Sequence, residues 1–82
     1  MTTKYHDEMF LLEVEQEADF AVKLHGEFNS LHEAFGVLWE EVDEFWDEVR
    51  KKREARSIPA IRHELVQVAA VCLKASHLLE RY

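Results

Sequence analysis

Apolar residues recur every three or four positions along nearly the whole chain, and no stretch alternates polar and apolar residues as a half-buried strand does. The pattern predicts three helices. The first spans about Asp7 to His25, with the first six residues outside it. Phe10, Val14, Ala21 and Leu24 share one face with a single polar interruption at Glu17, and Gly26 supplies the stop. The second helix starts at a capping box. In Ser30-Leu31-His32-Glu33 the serine hydroxyl accepts from the backbone N–H of Glu33, and the Glu33 carboxylate returns the bond to the serine N–H. Leu31, Phe35, Leu38, Val42, Phe45 and Val49 then form a heptad stripe, widened at its edge by Trp39 and Trp46. A basic run at Arg50 to Arg53 and Arg56 suits the negative end of that helix dipole.

The third helix begins near Ser57, with Pro59 tolerated in its first turn. Ile61, Leu65, Val68, Ala69, Cys72 and Leu79 mark its expected core face, which makes Cys72 a buried, inert hydrophobe. Val66, Ala70, Val71 and Leu73 are apolar as well. A helix apolar over most of its circumference is buried on several sides, which two neighbours cannot achieve. The expected architecture is therefore all-α: a three-helix subunit, one domain over residues 1–82, that forms a helical bundle with other subunits. A chain this short gains little stability from its own core, which again favours a homodimer or homotetramer.

Composition narrows the function. Acidic residues outnumber basic ones 17 to 10, for a formal charge of −7. That balance argues against a nucleic acid polymer or an anionic membrane as partner. No apolar run approaches the ~20 residues that cross a bilayer. The segment from Met1 to Glu8 lacks the apolar centre of a signal peptide, so a cytoplasmic location is expected. The single cysteine excludes an internal disulfide and a cysteine-based zinc site. No histidine follows a glutamate by three positions, which excludes a carboxylate-bridged di-iron bundle.

Six of the nine residues from Glu40 to Glu48 are acidic. At 100° per residue, Glu41, Glu44 and Glu48 share an arc about 60° wide beside the apolar stripe. Carboxylates at that spacing can converge on a hard cation such as Mg²⁺, whereas an ordinary acidic run is a solvated face. On the third helix Glu64 and Gln67 repeat the i, i+3 spacing among apolar neighbours. A carboxylate there is costly unless paired or bound to metal. Lys74, ten positions beyond Glu64 on nearly the same side, reads equally as a phosphate contact or a surface lysine. His32, beside Asn29-Ser30, is a candidate substrate contact or a surface residue of a capped turn.

These residues resemble a known family. Glu40-Glu41-Val42-Asp43-Glu44 matches the EExxE motif of the MazG-like, all-α nucleoside triphosphate pyrophosphohydrolases. Glu64-Leu65-Val66-Gln67 stands where that family carries ExxD, with 19 residues between Glu44 and Glu64. The resemblance extends over roughly residues 10 to 80, and the chain looks like short phage and bacterial members of this group. It implies hydrolysis of a nucleoside triphosphate between its α and β phosphates, with Mg²⁺ as cofactor and Mn²⁺ as an alternative. Carried over, the metal ligands would be Glu41, Glu44, Glu64 and Gln67, with Glu40 as the catalytic carboxylate that orients or deprotonates water. Gln67 departs from the motif aspartate and brings no charge. That departure keeps open a non-catalytic helical module that binds nucleotide or protein through a degenerate site.

Overall fold

A computed structural model describes residues 3–82. Among them there are three long helices and no strand: α1 (Lys4–His25), α2 (Leu31–Val49) and α3 (Ile58–Ser76). Short 3-10 turns, Arg53–Ala55 and His77–Arg81, precede and follow α3. None of these helices is long and apolar enough to cross a membrane.

Helix ends are set by local chemistry. α1 starts three residues before the predicted boundary because the Thr3 hydroxyl accepts from the His6 N–H at 3.1 Å. It stops at Gly26, whose φ of 77° is open to glycine at little cost and whose N–H donates to Val22 O at 2.7 Å. α2 starts as expected on the Ser30 hydroxyl, which accepts from the Glu33 N–H at 3.0 Å. The return bond differs: the Glu33 carboxylate takes the Asn29 N–H at 3.3 Å and the Asn29 amide at 3.1 Å. The return half of the box is thus displaced by one residue, onto the backbone and side-chain amides of Asn29. At the other end Arg56 folds back and donates to Val49 O through Nε at 3.1 Å and Nη2 at 2.6 Å. α3 is capped by Ser57, with Pro59 in its first turn.

α3 is central, with α1 packed on one side and α2 on the other. The α1–α3 seam buries Val14, Ala18, Val66 and Ala70, flanked by Phe10, Ala69 and Leu73. The second cluster buries Phe28 from the α1–α2 loop, Ala34 and Leu78, flanked by Val37, Val71 and Ala75. Both seams depend on small residues, Ala18 and Ala34, that let helices approach closely.

The expected core faces are corrected at several positions. Leu31, Phe35, Trp39, Val42 and Trp46 are 40–66% exposed, as are Leu65 and, at the end of the chain, Leu79. Leu24 and Cys72 are exposed too. Within one chain α3 packs instead through Val66, Ala70, Val71 and Leu73. Of the heptad stripe on α2, Leu38, Phe45 and Val49 are half-buried, while Ala34 and Val37 pack against α3 and the carboxylates follow one to three turns further on.

Candidate metal centre

That choice of face brings the acidic residues into the α2–α3 seam. Glu41 and Glu44 lie one turn apart on α2, Glu64 faces them from α3, and one carboxylate oxygen of each lies within 4.8 Å of the other two. Glu41 and Glu64 are half-buried and Glu44 is exposed. Like charges this close and partly out of water are unfavourable without a counter-charge.

Burial, reinforced by Glu44 and Glu64, pushes the Glu41 carboxyl from 4.5 to about 7, against a smaller opposing effect of His63. Burial, followed by the charge of Glu44, raises Glu64 in the same direction. Three buried oxygens, Glu41 Oε2, Glu64 Oε2 and Glu48 Oε1, find no donor among the described residues. The other Glu48 oxygen accepts from Lys51 Nζ at 2.8 Å. Buried carboxylate oxygens are normally satisfied. Oxygen-only donors converging from two helices, with oxygens left over, fit a hard divalent cation such as Mg²⁺.

A narrow cavity of about 100 Å³ adjoins the carboxylates, lined by Glu41, Gln67, Lys74, Phe28, Glu17 and apolar residues of α1, α2 and α3. Lys74 is not the surface residue it could have been. It is 6% exposed, with its ammonium 4.1 Å from the centroid of the Phe28 ring. Glu17 and Gln67 also line a larger cleft of about 390 Å³ between α1 and the start of α3, which Arg62 and His63 border. Arg62 pairs there with Glu13 and stands 5.7 Å over the Phe10 ring. Glu17 and Gln67 line both spaces, and the larger one lies in the size range of small-molecule sites.

Comparison of the chain with protein-family models, curated proteins and solved structures gave no match. The site is therefore read from its own chemistry. Of the residues singled out from sequence, Glu41, Glu44 and Glu64 converge, and Gln67 and Lys74 share a cavity with Glu41. Glu40 lies exposed on the flank of the same helical turn, outside the converging set. His32 lies elsewhere, lining an open depression with Leu31 and Phe35. Sequence reasoning missed Phe28 and Arg62. It passed over Glu17 as an interruption, although one acid on an otherwise apolar face was the available signal.

Proposed function

We propose that the chain is a Mg²⁺-dependent nucleoside triphosphate pyrophosphohydrolase of the MazG-like, all-α type. It cleaves the α–β phosphoanhydride of ribo- or deoxynucleoside triphosphates to a monophosphate and pyrophosphate, working as a homodimer or homotetramer. The observation that carries this reading is the meeting of Glu41, Glu44 and Glu64 across two helices, with buried oxygens left unsatisfied.

On this reading Glu41, Glu44 and Glu64 hold the cation, with the Gln67 amide beside them as a neutral oxygen donor. When bound, Mg²⁺, or Mn²⁺ in its place, supplies positive charge against the triphosphate and acidity to a coordinated water. The chain's own groups do the rest. Lys74, held in place by Phe28, presents its ammonium to a phosphate oxygen. The cleft between α1 and α3 takes the remainder of the nucleotide, while the apolar walls around Lys74 keep bulk water out. Glu40 stands free on the exposed flank to accept the proton of the attacking water.

The test is pyrophosphate release from a panel of nucleoside triphosphates with and without Mg²⁺, with products separated by chromatography. We expect metal-dependent monophosphate and pyrophosphate in equal amounts. Glu41→Gln or Glu44→Gln should lower turnover more than about 100-fold with an unchanged circular dichroism spectrum, since each removes a charged ligand. Gln67 in place of an acid favours a second reading, a helical module that binds nucleotide or protein without turnover. Calorimetric uptake of Mg²⁺ and nucleotide with no pyrophosphate from any triphosphate would decide for it.

A further inference from the structure

α2 carries its larger apolar face away from α3. Leu31, Phe35, Trp39, Val42 and Trp46 form one continuous stripe 40–66% exposed, and the Phe35 and Trp39 rings stack with centroids 6.4 Å apart. Aromatic residues in such numbers characterise the energetic centres of interfaces. The whole subunit is also too open for a monomer. It exposes 6399 Å², against about 5,100 Å² for a folded monomer of this mass. Its radius of gyration is 14.0 Å, where about 12 Å is usual for this length. The excess area of roughly 1,300 Å² exceeds the ~800 Å² that each partner contributes to a standard interface.

The stripe is also symmetric along the helix. Leu31 and Trp46 stand equally far from its midpoint, as do Phe35 and Val42, and the midpoint falls between Leu38 and Trp39. A two-fold interface needs this kind of self-complementary patch. At the Leu31 end, Leu31, His32 and Phe35 line an open, shallow depression of about 310 Å³ against which a large apolar side chain can lie. We propose that a second copy of this chain docks antiparallel on the outer face of α2, with the two-fold axis beside Trp39. Trp46 of the partner subunit then lies against the Leu31–Phe35 depression, and Phe35 meets the partner subunit's Val42. His32 accordingly serves the interface, not the nucleotide. The proposal fixes which surface builds the oligomer and stands independently of the chemistry at Glu41.

The test is analytical ultracentrifugation of the full chain at micromolar concentration, with pyrophosphate release followed separately. The wild type should sediment as a dimer or larger. Trp39→Glu and Phe35→Glu should each weaken association on the order of 100-fold while keeping the helical spectrum, because each change enters the interface twice. Cysteine pairing reads the direction. In a Cys72→Ser background, Trp39→Cys should form an intermolecular disulfide and Leu31→Cys should not. A wild-type monomer, an oligomer indifferent to both charge substitutions, or cross-linking at Leu31→Cys in place of Trp39→Cys would each overturn the proposal.

Discussion

Glu41 makes the stability of the folded chain depend on pH. The folded chain keeps a proton on this carboxyl up to about pH 7, whereas the ordinary value of 4.5 applies once it unfolds. Between those limits the folded state binds more protons than the unfolded one, so stability falls as pH rises from 4.5 to about 7 and then levels off. Glu64 is raised for the same reason and adds in the same direction. Two outcomes are expected. In EDTA at pH 8, Glu41→Gln should melt several degrees above the wild type, because it removes a charge the fold disfavours. On adding Mg²⁺ at that pH the wild type should gain stability and the variant much less, and the wild-type gain should vanish near pH 5, where protons compete for the same oxygens. A Glu41→Gln protein that melts below the wild type in EDTA would show that the triad is not strained without metal. At this scale the sequence was informative in part: spacing puts Glu41, Glu44 and Glu48 on one face of α2 because residues three or four apart on a helix share a face, whereas joining Glu64 of α3 to Glu41 and Glu44 came only from the family resemblance. The burial of Lys74 could not be named, because it depends on Phe28, which comes from a loop whose path no periodicity describes.

Helix boundaries were legible at most termini that a residue closes locally, the exception being the Thr3 cap of α1, which has no apolar periodicity behind it in the first turn. Ser30, Ser57, Gly26 and Pro59 each act within four residues of themselves, so a linear reading suffices. The end of α2 required more, because its cap comes from a distance. Arg56 reaches back seven residues to Val49 O and also donates to Lys51 O at 3.1 Å. These are charge-assisted bonds to carbonyls that lack helical partners. Neighbouring Arg50 and Lys51 are instead occupied with Asp47 and Glu48 at 2.8 Å. Arg56→Ala should therefore destabilise by about 1 kcal/mol, allowing for exposure to water. Arg53→Ala, at a position with no such bonds, should be nearly neutral. Urea unfolding of the two variants side by side checks this, and equal midpoints would mean the cap contributes nothing. Which face of each helix turns inward was not legible. Periodicity identifies an apolar stripe but not the helix that covers it: on α2 Leu31, Phe35, Trp39, Val42 and Trp46 turned outward while Ala34 and Val37 took the seam, and on α3 Leu65 and Cys72 turned outward while Val66, Ala70, Val71 and Leu73 packed inward.

The whole molecule combines an apolar outer face with a strongly acidic charge, and the two act oppositely on assembly. Each subunit carries −7, so two approaching copies repel at long range while the α2 faces attract only on contact. The screening length shrinks from about 30 Å in 0.01 M salt to about 3 Å in 1 M. Added salt therefore weakens the repulsion and leaves the apolar contact intact. Self-association should tighten by more than about tenfold across that range, in contrast to an interface held by ion pairs, which salt loosens. Mg²⁺ at fixed ionic strength should favour association further, since a cation held by Glu41, Glu44 and Glu64 lowers the net charge of each subunit beside the seam. Sedimentation equilibrium at low and high NaCl, with and without Mg²⁺, measures both effects. Weaker association at high salt would point to Lys52, Arg53 and their acidic counterparts as the adhesive surface, in place of the aromatic stripe. A Mg²⁺ effect lost in Glu44→Gln and kept in Asp43→Asn would tie the gain to the triad and not to general binding of cations by the acidic helix.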